Sequence, residues 1–165
     1  MFRVIGAALL LVLAGCGTAP GGGDTVESQI GRQIEIRATG SPVLAKMWLD
    51  SVTPVTCTEP GSLPPNRGHY LAARIVLQTT EQYEPNWGWW MSAADFHTID
   101  AEGAENGRGL LTSCLSPGSY LLDDFYLTDA GYYGVVLLDT AADHGTLVYR
   151  PHNLPNDIAG WHWEF

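Results

Sequence analysis

The sequence predicts an all-β domain, an antiparallel β-sandwich of seven to nine short strands, and three observations lead to it. From Arg32 onward apolar and polar residues alternate with a period of two, the mark of strands buried on one face. No segment sustains a 3.6-residue apolar period over the length a helix needs. Turn-forming residues recur at short, regular intervals, which favours facing antiparallel sheets over a parallel α/β sheet. A closed barrel is the alternative that this pattern leaves open.

The chain begins with a segment that precedes any fold. Met1-Phe2-Arg3 carries one positive charge, and Val4 to Leu13 is an apolar run shorter than the about 20 residues a bilayer-spanning helix requires. It reads as a signal peptide. The run closes on Leu13-Ala14-Gly15-Cys16, small residues before a cysteine, as lipoprotein processing demands, so residues 1–15 are expected to be removed and Cys16 lipidated. The alternative is ordinary signal cleavage with Cys16 left as a thiol. Acyl chains contribute about 0.8 kcal/mol per buried methylene, and more than one chain holds a protein stably at a bilayer. Gly17 to Thr25, with Pro20 and Gly21-Gly22-Gly23, has the composition of a tether. The expected organisation is therefore a signal peptide over 1–15, lipidated cysteine and tether over 16–30, and a sandwich over 31–165, on the extracytoplasmic side of the cell membrane.

The strands follow in order. Ile34, Ile36 and Ala38 alternate with Gln33, Glu35 and Arg37, and Val43 to Val52 forms a second strand-like run. Thr58 to Gly68 holds three prolines, two glycines and Asn66, so it must be loop. Past His69, Leu71, Ala73, Ile75 and Leu77 point to one side. Strands are expected over Trp89 to Ile99 and Gly109 to Cys114, separated by the turn Asp100-Ala101-Glu102-Gly103 and the segment to Arg108. Pro117-Gly118 turns into Tyr120 to Leu127, and Thr128 to Gly131 turns into Tyr132 to Asp139. Thr146 to Arg150 follows, and in the closing segment Trp161, Trp163 and Phe165 share a face.

With Cys16 committed to lipid, Cys57 and Cys114 remain as a pair outside the cytoplasm, and a disulfide between them is expected. A metal site or a redox pair would be the alternatives, although neither cysteine belongs to a C-x-x-C motif. The formal charge of −10 becomes −11 once Arg3 is lost. So acidic a chain argues against nucleic acid and anionic lipid surfaces, which need clustered positive charge.

The run Gly68-His69-Tyr70-Leu71-Ala72-Ala73-Arg74-Ile75-Val76-Leu77, followed by Asp95-Phe96-His97-Thr98-Ile99-Asp100, resembles a recurrent exported module. Cys114, Pro117-Gly118, Gly134-Val135-Val136-Leu137-Leu138-Asp139, Gly145 to Pro151 and Gly160-Trp161 extend the resemblance over most of residues 43 to 163. Together they resemble the immunoglobulin-like lipoproteins of actinobacteria, similar in fold to the secreted mycobacterial immunoprotective antigens. The resemblance implies an immunoglobulin-like sandwich at the cell surface and carries over no catalytic residue. Ser119 to Asp129 departs from the pattern, where Pro117-Gly118 would lead almost directly into the Gly134 strand.

Chemistry-bearing motifs are sparse. There is no G-x-S-x-G elbow, no H-E-x-x-H, and no calcium-type D-x-D-x-D-G loop. No catalytic residue, metal ligand set or cofactor is assigned. His69, His97, His144, His152 and His162 are scattered singly, with His152 and His162 a pair that folding can bring together. Asp100, Glu102 and Glu105 gather in one turn, and Asp123, Asp124 and Asp129 around another. The feature that points to function is aromatic: Tyr83, Trp87, Trp89 and Trp90 surround Pro85, Asn86 and Gly88. Exposed rings on a rigid sandwich bind protein partners or sugar faces. Alternation turns Trp89 and Trp90 to opposite sides, and one of them is a candidate to fill the space beside the disulfide, as in antibody domains. The expectation is a non-enzymatic surface module with a protein or cell-wall glycan partner. The alternative is a metal-dependent or hydrolytic activity built from loop histidines and aspartates.

Overall fold

The computed structural model describes residues 25–85, 89–110, 114, 126–154 and 160–165. Among these described residues there are nine strands: β1 (Val26–Glu27), β2 (Gln33–Ile36), β3 (Ala45–Val55), β4 (His69–Thr79), β5 (Phe96–Ile99), β6 (Glu105–Leu110), β7 (Gly131–Thr140), β8 (Thr146–Tyr149) and β9 (Trp161–Glu164). They hydrogen-bond as one continuous sheet in the order β1-β9-β8-β5-β6-β7-β4-β3-β2. Every pairing is antiparallel except β1 with β9. The sheet curls over itself, because one buried cluster unites Ile34 and Ile36 of β2 with Trp161 and Trp163 of β9, strands near opposite ends of that order. The two halves face each other as an immunoglobulin-like β-sandwich.

Alternation builds the core as the sequence leads one to expect. Leu71, Ala73, Ile75 and Leu77 from β4 meet Met47 and Leu49 from β3 and Val136 and Leu138 from β7, all at most 3% exposed. Trp161, Trp163 and Phe165 join the same cluster. A bulge between Leu49 and Ser51 shifts the register of β3 against β4 and lets the strand run on to Val55.

Cys57 and Cys114 form a disulfide, with Cα atoms 4.7 Å apart. It lies outside the main core, in a second small cluster with Tyr70, Leu137, Val55 and Leu110. The proline-rich loop between β3 and β4 is pinned from below by Asp139, 4% exposed, whose carboxylate accepts the backbone N–H groups of Asn66 (2.9 Å) and Arg67 (3.0 Å).

Three expectations about strands need correction. The strand expected over Trp89 to Ile99 begins only at Phe96. Burial does alternate over Trp89, Trp90 and Met91, but Ser92 then caps a short 3-10 turn, Ala93–Asp95, which redirects the chain before the ladder starts. The strand placed at Gly109 begins instead at Glu105, inside the segment read as connector. Gly109 backs onto that 3-10 turn so closely that a Cβ would fall 1.9 Å from the Ala93 carbonyl oxygen. Finally, the sheet starts at Val26, within the segment assigned to the tether, and Ser28 is buried. Residues 111–113, Pro117-Gly118, and all but Tyr126 and Leu127 of the strand expected over Tyr120 to Leu127 lie outside the described residues, as do the signal peptide and Cys16.

Candidate functional site

The chain that leaves the core at Met91 brings a tryptophan, a carboxylate and a histidine together at the surface. Ser92 and Asp95 make a reciprocal capping box: the Ser92 Oγ accepts the Ala94 N–H at 3.3 Å, and Asp95 Oδ2 accepts the Ser92 N–H at 3.3 Å. The Asp95 carbonyl oxygen accepts the Arg150 N–H at 2.9 Å, which ties the turn to the end of β8. The ladder of β5 with β8, Phe96 opposite Tyr149, places His152 within reach. Its Nδ1 stands 2.5 Å from Asp95 Oδ1.

The partners differ sharply in solvent access. The Asp95 side chain is 3% exposed and that of His152 52%. Burial raises the Asp95 pKa above the usual carboxylate range, opposed by the hydrogen bonds from His152 and Ser92 and by the charge of His152. As an acceptor, the carboxylate fixes Nδ1 as the donor nitrogen of the imidazole. Among the described residues no group bonds to Nε2, and no hydroxyl or thiol bonds to His152 in the manner of a nucleophile. Trp90, 38% exposed, meets the imidazole edge to face, with ring centroids 5.7 Å apart at 77°. The patch is thus a partly exposed indole whose neighbour is oriented from behind by a buried carboxylate. It offers an apolar ring, a hydrogen-bonding nitrogen and little freedom of movement.

Of the four aromatic residues expected to contact a partner, the structure keeps one at the surface and removes two. Tyr83 and Trp89 are each 1% exposed and belong to the main core. Tyr83 donates its hydroxyl to the Trp89 carbonyl oxygen at 3.1 Å, and both rings pack against Tyr126. They present no surface to a ligand, because Tyr126, from a distant stretch of chain, closes over them. Trp89 fills the main core, not the space beside the disulfide. Trp87 lies outside the described residues.

The histidines do not converge. His162 Nδ1 is 3.0 Å from the Thr25 hydroxyl, His69 faces Asp143 at 3.7 Å, and His152 is held by Asp95. His97 is half-buried on β5, and its pKa is lowered chiefly by burial. Among the described residues no group of three or more histidine, cysteine, aspartate or glutamate side chains is placed to hold a metal ion. In the acidic turn, Asp100 accepts the N–H groups of Glu102 and Ala104, and Glu105 pairs with Arg108. Asp123 and Asp124 lie outside the described residues. Asp95 is the site residue that sequence reasoning missed. The signal was Ser92-Ala93-Ala94-Asp95, a capping-box pattern inside an apparent strand.

A cleft of about 480 Å³ lies elsewhere, between the proline-rich loop and the adjoining ends of β3 and β4, lined by Val55, Cys57, Leu63, Pro65 and Tyr70 among others. Among the described residues its lining holds no cluster of titratable groups.

No family model matches the chain. No curated protein matches it either. Two solved structures share the fold. One is MPT63, a secreted protein from Mycobacterium tuberculosis, at 14% identity and a TM-score of 0.61, covering 86% of this chain and 98% of its own. The other is the yjhA protein from Bacillus subtilis, at 13% identity and a TM-score of 0.53, covering 83% of this chain and 98% of its own. At these identities the likeness is one of fold. Among the described residues no helix is long and apolar enough to cross a membrane.

Proposed function

We propose that this chain is an exported lipoprotein, anchored to the cell membrane through Cys16, whose sandwich acts as a non-enzymatic binding module on the extracytoplasmic side. Leu13-Ala14-Gly15-Cys16 supports the anchor, and the fold shared with a secreted mycobacterial protein supports the compartment. The observation that carries the binding role is the division of the tryptophan pair. Trp89 is locked in the core, and Trp90 is held outward against an imidazole that a buried carboxylate orients. A ring fixed in advance loses little entropy on contact, which is how few exposed aromatics carry much of an interface's affinity.

Acrylamide quenching of tryptophan fluorescence tests this on the full chain and its Trp90→Phe variant, with cell-wall glycan fragments and envelope protein fractions as additions. The expected result is a quenchable component that the variant lacks and that one fraction protects. If no fraction protects it, Trp90 is not a contact residue. Replacing Cys16 with Ser should abolish metabolic palmitate labelling and free the protein from the membrane fraction. Continued labelling would refute the anchor.

The second reading is a hydrolytic activity, and the Asp95–His152 pair is the observation that favours it, since a carboxylate-oriented imidazole is the general-base half of many catalytic sites. Turnover of an envelope ester or amide that disappears in His152→Ala while folding is retained would establish it over the binding role.

A further inference from the structure

The outer surface of β2, β3, β4 and β7 carries a second aromatic feature, which only the strand register reveals. Gln33, Trp48, Val76 and Tyr133 stand directly opposite one another across these four neighbouring strands. Their strand neighbours Ile34, Met47, Leu49, Ile75 and Leu77 are buried in the core, so alternation turns the row outward. Tyr133 is 58% exposed, and Trp48 and Val76 are partly exposed. Arg74 Nη1 donates to the Tyr133 hydroxyl at 3.3 Å, which restrains the ring. Beyond Arg74 the same face is closed by Tyr70, Leu137 and the disulfide. The row is therefore a shelf ending at a wall.

We propose that this shelf binds an extended, uncharged, β-linked glycan, with Trp48 and Tyr133 stacking on alternate sugar rings and Val76 between them. Spacing is the first argument. Adjacent strands lie about 4.8 Å apart, so residues two strands apart are separated by roughly 10 Å. That matches the repeat between alternate residues of an extended β-linked pyranose chain, whose ring faces are apolar. Charge is the second. On a chain of net charge −10, the rim of this shelf carries charges of both signs, with Lys46 and Arg74 beside the row and Glu35 paired to Arg37 at 2.8 Å. The amides of Gln33 and Gln78 complete it. A neutral, hydroxyl-rich ligand suits such a mixed rim, which offers no cluster of one sign to a charged one. The site is separate from the Trp90–His152 patch, and either can fail without the other.

The test is affinity electrophoresis and fluorescence titration of the full chain with chitohexaose, with polygalacturonate as the anionic comparison. Saturable binding of chitohexaose is expected, weakened about tenfold or more in Tyr133→Ala and preserved in Tyr133→Trp. Tyr133 is exposed, so its replacement should leave thermal unfolding in place and keep the result interpretable. The proposal is overturned by no binding, by equal binding to polygalacturonate, or by binding indifferent to Tyr133→Ala. Loss of binding in Trp90→Ala with retention in Tyr133→Ala would move glycan recognition to the other patch.

Discussion

Two aspartates are buried to nearly the same degree, Asp139 at 4% and Asp95 at 5% exposure, yet their surroundings assign them opposite kinds of work. Asp139 lies beneath the proline-rich loop and accepts two backbone N–H groups, one on each oxygen. Both donors are main-chain groups of the loop itself, so the carboxylate ties the loop's backbone directly to β7. Asp95 lies behind the surface patch, where it accepts the Ser92 N–H and is bonded by a half-exposed imidazole, that of His152. Burial raises its pKa, and the hydrogen bonds it accepts and the charge of His152 oppose that rise. The difference teaches that burial alone does not say whether a carboxylate is a fastener or a responsive element. The partners decide.

The comparison is open to attack at several points. The largest effect is expected at the loop that Asp139 serves, where reducing the Cys57–Cys114 disulfide should lower unfolding free energy by roughly 2–4 kcal/mol in denaturant titrations. Next, Asp139→Ala strands two amide donors under the loop and should cost about 2–3 kcal/mol. A loss well below 1 kcal/mol would show that the loop holds without its clamp.

Asp95→Asn should behave differently. A carboxyl whose folded-state pKa is raised contributes stability that is full below its unfolded pKa and is lost as pH rises through the folded value. The amide removes that loss. The variant should therefore match or exceed the parent near neutral pH, and its stability profile should be flatter from the ordinary carboxyl range upward. If it instead loses as much as Asp139→Ala at neutral pH, Asp95 is a fastener after all and the contrast collapses. The smallest effect is expected for His152→Gln, which keeps a hydrogen-bonding side chain at a half-exposed position and should shift stability by no more than about 0.5 kcal/mol. Loss of partner protection at Trp90 in that variant, with stability intact, would sharpen the division between the two sites.

How far these regions are legible in the sequence follows from the range of the interactions. The β4 alternation, Leu71 through Leu77, and the closing Trp161, Trp163 and Phe165 can be read locally because each strand declares its own buried face. Trp89 and Trp90 are legible only as a pair on opposite sides. Which one is inside depends on Tyr126, 37 positions past Trp89, and no local pattern encodes that contact. The Asp95–His152 pair spans 57 positions and exists because β5 lies beside β8. The outward row of Trp48, Val76 and Tyr133 is equally hidden, since it appears only after three registers are set. β1 escapes notice because two residues show no period, and its strand character comes from β9.

That short strand determines how the molecule would respond to being pulled. Val26 donates its N–H to the Gly160 carbonyl oxygen at 2.9 Å, and Ser28 donates to that of His162 at 2.8 Å. Five residues later the chain enters β2, at the opposite edge of the sheet. For a domain held at its N-terminal end, tension arrives first at these few bonds of β1. They would part before the long β3–β4–β7 ladders bear any load, lengthening the leash by a few residues while the sandwich stays folded. In mechanical terms β1 is a fuse, and both proposed binding surfaces lie on the protected side of it.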